Sequence, residues 1–466
     1  MSTAAPDVAK STFWTADRVA DALASGAAVN LPRPSLTFGR VWTDTRTVEA
    51  GDLFVALIGE RFDAHDFVAD AVAKGAAGVV VSKSSVVRGL GVPVFEVADT
   101  LVALGALATF YRRVWNGPVV SVVGTNGKTS TKELIKAALG SALEVHATRG
   151  NLNNLIGVPL TLLSMPPSVD VAVVEMGTNQ PGEVPRLRAI VEPNVTVVTS
   201  VAEEHLEGLG DLAGVLREEM AATDGVPVAV VPASQPEVID AAKTRARRVV
   251  SAGLDDGDFR ASKWEVLPDG RGAIVVDDVR VDVPLRGVHN LRNAMLALAV
   301  SRELGVSLLD AARGIGQMPS PPMRVNWEQL GSVTLINDAY NSNPGSARAA
   351  LELLAHSGRG RQRVAVLASM LELGPQGPRL HDEVAAEALA TGLELVAGMG
   401  EFGAALRRIA PADPRVLTAD DVDALWAQLS SRLANDAVIL LKGSRGMRLE
   451  RLVAPITDWA NGRLPA

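Results

Sequence analysis

A glycine-rich loop between an apolar strand and a helix constrains this chain more than any other segment. Val119–Val123 predicts a short buried strand, and Gly124-Thr125-Asn126-Gly127-Lys128-Thr129-Ser130 follows directly. A helix is predicted from there to about Gly140. Glycines let backbone N–H groups turn toward phosphates, and the start of a helix adds partial positive charge. The segment therefore predicts a nucleotide-phosphate loop in an α/β domain.

The loop pattern predicts roles for Lys128 and for the hydroxyl of the residue that follows it. Lys128 can reach the β- and γ-phosphates, and the Thr129 hydroxyl can hold Mg²⁺. The general pattern has a further glycine five residues before the Gly-Lys pair, where this chain has Val122, so the loop is a variant. The alternative is a glycine turn with a chance lysine, and the flanking strand and helix favour the phosphate loop.

Composition excludes several classes of protein. The formal net charge of −8 argues against a general nucleic-acid binder, which needs a basic surface to replace phosphate counterions. With no cysteine, the chain has no disulfide, thiolate zinc site or cysteine nucleophile. The first residues lack a secretory signal, and no apolar run approaches the ~20 residues of a membrane helix. We expect a soluble cytoplasmic protein without membrane insertion or a nucleic-acid partner.

Two clusters of helix and strand breakers divide the 466 residues. They are Asn116-Gly117-Pro118 and Pro319-Ser320-Pro321-Pro322, and they predict three domains over residues 1–117, 118–320 and 321–466. Apolar strands that alternate with helices predict an α/β fold with parallel sheets. The more polar stretch 240–285 predicts an appended β element.

Two polar residues follow predicted strands of the central sheet. Glu175 follows Val171–Val174, and His205 lies in the loop after Val195–Thr199. The carboxyl ends of parallel strands face the ligand crevice, so both are candidates for the nucleotide site. A glutamate there can bind Mg²⁺ directly or through water. A lone loop histidine is more often solvated or structural, and that alternative stays open for His205.

Further segments resemble the muramyl ligases, the amide-forming enzymes of peptidoglycan precursor synthesis. The loop Gly124–Ser130 is similar to their ATP loop, and the other matches run in order from about Thr43 to Glu450. The matching segments are Thr43–Arg46, Gly51–Phe54, Arg61–Asp66, Thr148–Asn154, Glu175–Gly177, His205–Gly208, Gly287–Ala294, Asn337–Pro344 and Lys442–Gly446. The last two point to the member that adds D-alanyl-D-alanine to UDP-N-acetylmuramoyl-tripeptide.

The resemblance implies a domain plan and a reaction. An N-terminal α/β domain would bind the UDP-sugar peptide, a central P-loop parallel-sheet domain would bind ATP, and a C-terminal Rossmann-like domain would close over the site. The enzyme would use ATP and Mg²⁺ to form an acyl phosphate and then an amide. Its partners would be UDP-N-acetylmuramoyl-tripeptide and D-alanyl-D-alanine, and we expect a monomer.

The resemblance also implies roles for individual residues. The catalytic residues would be Lys128, Glu175, His205 and Glu219. The metal ligands would be Thr129, Glu175, His205 and Glu219. ATP would contact Gly124, Thr125, Asn126, Gly127, Lys128, Thr129, Ser130, Asn290, Asn293, Arg324 and Asp338. The substrates would contact Thr45, Arg46, Asn151, Asn154, Tyr340, Asn341, Lys442, Ser444 and Arg445.

Each of these assignments has a structural alternative. Asn290 could cap a helix, and Lys442 with Arg445 could be a solvated pair. The Asp338–Asn341 segment could be only a turn.

The chain departs from the family pattern at a few positions. Ala64 replaces a usual glycine, and Ala368-Ser369 replaces a usual Gly-Asp. The third departure is Glu219, where the family has a lysine carbamylated by CO₂. We interpret Glu219 as a replacement for that carboxylate, and the alternative is a solvated helix residue.

Three other functions stay open from the sequence. A folate polyglutamylating enzyme and a peptide ligase of secondary metabolism share the superfamily, and Glu219 makes the second harder to dismiss. A nucleotide-binding switch or scaffold is a third possibility. A guanine-specific switch should carry an Asn-Lys-x-Asp segment, which is absent, and a degenerate scaffold should have lost Lys128 or Glu175.

Overall fold

A computed structural model describes residues 13–23, 28–29, 36–59, 61–83, 89–319 and 325–462. The elements before the glycine loop are β1 (Trp14–Thr15), α1 (Ala16–Leu23), β2 (Ala28–Val29), β3 (Thr37–Phe38), β4 (Val41–Trp42), β5 (Leu53–Val55), α2 (Val68–Ala73), β6 (Gly78–Val81), β7 (Val94–Glu96) and α3 (Thr100–Trp115). Strands β4 to β7 pair in parallel, and β2 joins β7 antiparallel. Phe54 and Val79 of this sheet pack with Val68 and Ala71 of α2.

The middle of the chain alternates strands and helices, as its sequence predicts. Its elements are β8 (Val119–Val123), α4 (Lys128–Leu139), β9 (Val145–Ala147), α5 (Gly157–Leu163), β10 (Val171–Glu175), α6 (Glu183–Val191), β11 (Val195–Val198), α7 (Leu206–Leu209), α8 (Leu212–Met220), β12 (Val228–Pro232), α9 (Pro236–Lys243), β13 (Val249–Gly253), β14 (Phe259–Arg260), β15 (Lys263–Val266), β16 (Gly272–Val276), β17 (Val279–Val283), α10 (Val288–Glu303) and α11 (Leu308–Gly316). Among the described residues, one sheet has the order β14-β13-β12-β11-β8-β10-β9. Strands β15 to β17 form the antiparallel appendage expected within residues 240–285.

The last part of the chain forms a mainly parallel sheet with interleaved helices. Its elements are β18 (Asn326–Leu330), β19 (Val333–Asp338), α12 (Pro344–Ser357), β20 (Arg363–Ala368), α13 (Gly377–Ala390), β21 (Leu395–Met399), α14 (Glu401–Ile409), β22 (Val416–Ala419), α15 (Val422–Leu429), β23 (Val438–Lys442) and α16 (Val453–Ala460). The strand order is β18-β19-β23-β20-β21-β22, and only β18 runs antiparallel to its neighbour. Apolar residues of these strands pack against α15 and α16.

Packing divides the chain into two compact units, and the division passes through β8 after Ser121. The first unit comprises residues 1–121, 143–178 and 182–195, and the second comprises 122–142, 179–181 and 196–466. In the first unit the buried guanidinium of Arg112 in α3 donates to the carbonyl oxygens of Val191 and Glu192. In the second unit α4 packs against α10 and α11.

The predicted α/β class with parallel sheets is confirmed. The sequence of residues 419–433 predicts a helix, and α15 lies within this range. It starts later than predicted, because Ala419 ends β22 and Asp421, whose side chain accepts the N–H of Ala424, caps the helix. Strand β18 is not predicted from the sequence. It lies at the edge of its sheet and pairs on one side only, so it contains polar residues and lacks the apolar pattern of a buried strand. No helix among the described residues is long and apolar enough to span a bilayer.

Candidate active site

The glycine loop has the strand–loop–helix geometry predicted for it. Every residue of β8 is buried, and α4 begins at Lys128. Gly124 has φ +117°, and a Cβ added there would lie 2.5 Å from Oγ1 of Thr199 and 2.7 Å from the carbonyl oxygen of Ser200. Glycine is therefore required, because a side chain would meet backbone atoms in a strained conformation.

The residues that follow β11 brace the loop. The N–H of Thr125 donates to the Ser200 carbonyl oxygen over 2.8 Å, and the N–H of Asn126 donates to Oγ of Ser200 over 3.1 Å. Oγ1 of Thr125 accepts the N–H of Ala202 over 3.0 Å. These bonds fix the loop from the neighbouring strand end.

Lys128 folds back over the loop that precedes it. Its Nζ donates to the carbonyl oxygens of Gly124, at 2.5 Å, and Thr125, at 3.2 Å. The Lys128 side chain is 14% exposed, and Nζ lies 3.9 Å from Oε2 of Glu204. The ammonium group is thus held beside the loop, within reach of an anion that the loop would bind.

Two buried carboxylates accompany this lysine. Glu219 is 3% exposed, and its Oε2 accepts the N–H of Gly124 over 2.8 Å. Burial raises the pKa of Glu219, while Lys128 and the Gly124 N–H lower it in part. Glu204 is also buried, and its Oε1 accepts Nδ2 of Asn341 over 3.0 Å. The solvated alternative for Glu219 is therefore wrong.

His205 lies close to the same cluster. Its Nε2 is 3.9 Å from Oε2 of Glu204, and its Nδ1 contacts Oε2 of Glu372. The residue has φ +53°, a left-handed conformation uncommon outside glycine. The ring thus has two carboxylate neighbours and is 23% exposed, and a structural role for His205 remains the alternative.

The start of α10 brings two predicted asparagines to the loop. Nδ2 of Asn290 donates to the Arg286 carbonyl oxygen over 2.8 Å, and Oδ1 of Asn290 accepts Nδ2 of Asn293 over 3.2 Å. A Cβ on Gly127 would lie 2.8 Å from Nδ2 of Asn293, so this amide packs directly on the loop. The cap of α10 is Gly287, so Asn290 is not a capping residue.

His289, in the same turn, is packed among charged groups. Burial lowers the pKa of its imidazole from 6.5 to about 4. Asp338 opposes this shift, and Lys442 and Arg292 add to it. The ring is neutral at physiological pH.

Residues after the second breaker also reach the loop. Nδ2 of Asn343 donates to Oδ1 of Asn126 over 2.8 Å, while Oδ1 of Asn343 accepts the Ser346 N–H and caps α12. Asp338 and Lys442 end neighbouring parallel strands in register, and their side chains pair at 2.8 Å. Lys442 is 2% exposed, so it is not part of a solvated pair.

The other predicted residues of this region have identified partners. Nζ of Lys442 donates to the Asn341 carbonyl oxygen over 2.6 Å, and Oγ of Ser444 accepts the Leu371 N–H over 3.0 Å. The Arg445 guanidinium lies 5.5 Å from the ring centroid of Tyr340. Arg324 and residues 320–322 of the predicted hinge lie outside the described residues.

Glu175 is held within the first unit. It ends β10, its Oε1 accepts Nδ2 of Asn153 over 2.9 Å, and its N–H donates to Oγ1 of Thr148. Oδ1 of Asn154 accepts the N–H of Gly157, the first residue of α5, over 2.9 Å. Asn151 is exposed in the same loop.

The predicted sugar-domain residues lie in an exposed loop of the first unit. The Arg46 guanidinium pairs with Oδ2 of Asp44 at 2.7 Å, and its side chain is 86% exposed. The Thr45 carbonyl oxygen accepts Nζ of Lys74 over 2.8 Å. The Arg46 guanidinium is thus paired with the Asp44 carboxylate, while most of its side chain stays accessible to an anionic ligand.

The donor types available suit a magnesium ion. Mg²⁺ is commonly held by one or two carboxylates, phosphates and water. Glu219 and the Thr129 hydroxyl in the second unit supply oxygens of this kind, and Glu175 is a carboxylate of the first unit. In the described part of the chain, no group of three or more His, Asp or Glu side chains is gathered for a metal ion. Carboxylate and hydroxyl oxygens of this kind fit an ion that is bound largely through nucleotide and water.

Four residues at the site were missed as candidates from the sequence. Glu204 and Ser200 precede His205 in one loop, Asn343 lies in the matched segment Asn337–Pro344, and Glu372 follows β20. The polar loop after β11 was the available signal for the first two. Nothing local marks Glu372, because its partner is 167 residues away.

Comparisons with known proteins agree over most of the chain. Residues 38–155 match the Mur ligase family, catalytic domain, residues 122–301 the Mur ligase middle domain, and residues 323–445 the Mur ligase, glutamate ligase domain. The UDP-N-acetylmuramoyl-tripeptide--D-alanyl-D-alanine ligase of Escherichia coli (strain K12) is 35% identical over 435 residues, which cover 91% of this chain and 94% of that protein.

Solved structures give the same result. Crystal structure I of MurF from Acinetobacter baumannii has a TM-score of 0.87 and 31% identity, and the match covers 96% of this chain and 99% of that one. MurF ligase from Thermotoga maritima in complex with ADP has a TM-score of 0.80 and 26% identity, covering 91% of this chain and 98% of that one.

Proposed function

Because this chain belongs to the Mur ligase family, we propose that it joins D-alanyl-D-alanine to UDP-N-acetylmuramoyl-tripeptide at the expense of ATP. It is an ATP-dependent carboxylate–amine ligase that forms ADP and phosphate. The observation that carries the proposal is Lys128, held over a preformed phosphate loop, in a chain that matches this ligase over nearly its whole length.

The chemistry proceeds in two steps. A carboxylate oxygen of the tripeptide attacks the γ-phosphorus of ATP, the bond to ADP breaks, and an acyl phosphate forms. The amine of D-alanyl-D-alanine then attacks the acyl carbon, loses a proton, and phosphate leaves with one carboxylate oxygen. Activation is needed because a carboxylate is a poor acyl donor at neutral pH, whereas phosphate is a workable leaving group.

The residues of the second unit suit positioning and charge neutralisation, the main tasks in phosphoryl transfer. We propose that Lys128 stabilises charge on the transferred phosphoryl group. Glu219 and Ser200 bond to the loop backbone, and the Asn293 amide packs against Gly127, where we propose that it contacts ATP. Lys442 and Asp338 are proposed to meet the nucleotide and the incoming amine at the ends of β23 and β19.

Mg²⁺ is part of the proposal on chemical grounds. Thr129, Glu175, His205 and Glu219 are the side chains proposed to hold it, directly or through water. When bound, it would neutralise charge on the β- and γ-phosphates.

A substrate-dependence assay tests the function. Phosphate release should require ATP, the UDP-sugar tripeptide and D-alanyl-D-alanine together, and folate with glutamate should give none. A tripeptide labelled with ¹⁸O in its terminal carboxylate should pass one label to phosphate. Turnover with folate, or phosphate without label, would contradict the proposal.

The setting of the reaction follows from its substrates. ATP and a UDP-linked precursor are available in the cytoplasm, so we propose that the enzyme acts there. We also propose domain limits of 1–117, 118–320 and 321–466, and a monomer. Light scattering would report the mass of one chain.

A further inference from the structure

Glu372 and His205 form a contact between two parts of the second unit that are distant in sequence. Nδ1 of the imidazole contacts Oε2 of the carboxylate. A carboxylate only accepts hydrogen bonds, so Nδ1 carries the hydrogen in this pair. Nε2 of His205 then faces Glu204, 3.9 Å from its Oε2, on the side of the lysine of the phosphate loop.

The pair sits in a small interface with further backbone contacts. The N–H of Glu207 donates to the Glu372 carbonyl oxygen over 3.1 Å. Nε2 of Gln376 donates to the Gly210 carbonyl oxygen over 3.3 Å. A Cβ on Gly374 would lie 3.3 Å from Cα of Glu207, so the two loops touch closely.

The loop that carries Glu372 is fixed from behind. The N–H of Met370 donates to Nε2 of the buried His381 over 2.8 Å. The N–H of Leu371 donates to Oγ of Ser444 over 3.0 Å. Glu372 is therefore presented from an anchored backbone.

Both partners adopt an uncommon backbone conformation. Glu372 has φ +64° and His205 has φ +53°. A left-handed conformation costs more for such residues than an exposed contact between polar side chains usually returns, and the Glu372 side chain is 53% exposed. Stability therefore does not explain the pair, and strain of this kind is concentrated at functional sites.

We propose that Glu372 is a positioning residue for the ligase reaction, which holds the His205 imidazole with Nδ1 protonated and Nε2 directed at the Glu204–Lys128 cluster. This inference rests on the proposed function. Glu372 touches no reacting group in this arrangement, so its effect passes through the histidine ring.

Two substitutions of Glu372 separate the effect of side-chain length from the effect of negative charge. Glu372→Asn tolerates the left-handed backbone, but its side chain is too short to reach the imidazole. Glu372→Gln keeps the length and an oxygen that accepts from Nδ1. We expect the asparagine variant to lower kcat by about 10- to 100-fold, as loss of a ring-orienting partner does, with an unchanged KM for ATP. The glutamine variant should recover most of the rate.

Imidazole ¹⁵N NMR gives a readout that does not depend on ligase activity. The His205 signal, assigned with His205→Gln, should show hydrogen on Nδ1 in the wild type and in Glu372→Gln. In Glu372→Asn it should shift to a mixture of tautomers. Glu352→Gln, an exposed glutamate in α12, is the matched control.

The outcomes are distinct. Wild-type kcat in Glu372→Asn, or an unchanged His205 tautomer, overturns the proposal. A lowered melting temperature with the tautomer unchanged means that the pair is only structural, which also overturns it. If the wild type lacks ligase activity, the proposed function fails, while the NMR comparison still decides whether Glu372 orients His205.

Discussion

The backbone N–H of Gly124 donates to Oε2 of Glu219 over 2.8 Å, and the carbonyl oxygen of the same residue accepts Nζ of Lys128 over 2.5 Å. Glu219 thus binds the peptide group that precedes the Cα of Gly124, and Lys128 binds the peptide group that follows it. Both charged groups are largely removed from solvent. The loop is fixed by the charges that lie beside it, so the shape and the electrostatics of the loop depend on the same side chains.

Lys128→Ala should reduce phosphate release by about 100-fold or more, because a preorganised positive charge at the transferred phosphoryl group is lost. The fold should remain, since the side chain contacts two loop carbonyl oxygens and the Glu204 carboxylate at the edge of the domain core. Lys136→Ala, an exposed lysine later in α4, is the control and should behave as the wild type. Near-normal turnover of Lys128→Ala would show that the loop is not the ATP site.

Asn343 has two separable tasks, so a substitution can remove one of them. Serine still caps α12 but cannot reach Asn126, whereas alanine loses both contacts. Asn343→Ser should raise the KM for ATP about fivefold, the value of one neutral hydrogen bond, with little change in stability. Asn343→Ala should also lower the free energy of unfolding by about 1 kcal/mol. An equal loss of stability in both variants would contradict this division.

His289 should make stability depend on pH. Its pKa is about 4 in the folded chain against 6.5 normally, so protons bind the unfolded chain more tightly. Its contribution is complete above pH 6.5 and is lost as pH falls from 6.5 to about 4. The full loss is at most about 3 kcal/mol, because part of the ring keeps solvent contact.

Denaturant unfolding between pH 4 and 8 measures this effect. His289→Gln should reduce the change in the free energy of unfolding between pH 4 and 8. His356→Gln, at an exposed histidine, should show the same change as the wild type. Parallel curves for the wild type and His289→Gln would mean that His289 does not titrate as described.

Sequence patterns were sufficient for elements whose signals are local. Val119–Val123 and the glycine loop were predicted within a residue, because a valine strand, glycines and a helix start lie together. The edge strand β18 was missed because one sheet neighbour imposes little apolar alternation. Ala419 was assigned to a helix because Val416–Ala419 is too short to establish a strand pattern.

The site was predicted less completely, for a different reason. Lys128 and Glu219 could be named from the sequence, but the bond that joins Glu219 to Gly124 spans 95 residues. Glu372 and His205 are further apart still. Such pairs depend on how strands and loops meet in space, and a single sequence carries no direct record of that.

We predict that Glu219 replaces the carbamylated lysine of the family as a metal-binding carboxylate. Glutamate offers the same charge and oxygens on a shorter arm, and Oε2 is already bonded to Gly124. Mg²⁺ requires near-ideal octahedral geometry at about 2.0–2.1 Å, so Oε1 would reach it best through a bridging water.

Activity should therefore not respond to added bicarbonate, because no CO₂ adduct is needed. Glu219→Ala should raise the Mg²⁺ concentration for half-maximal rate by about tenfold or more, whereas Glu218→Ala should raise it far less. Both glutamates are buried, at 3% and 8% exposure, so thermal unfolding of both variants controls for damage to α8. Binding of Mn²⁺ with an ATP analogue, followed by electron paramagnetic resonance, reports the same difference without turnover. An equal magnesium requirement in the two variants, or activation of the wild type by bicarbonate, would exclude Glu219 from the metal site and leave it as a clamp on the phosphate loop.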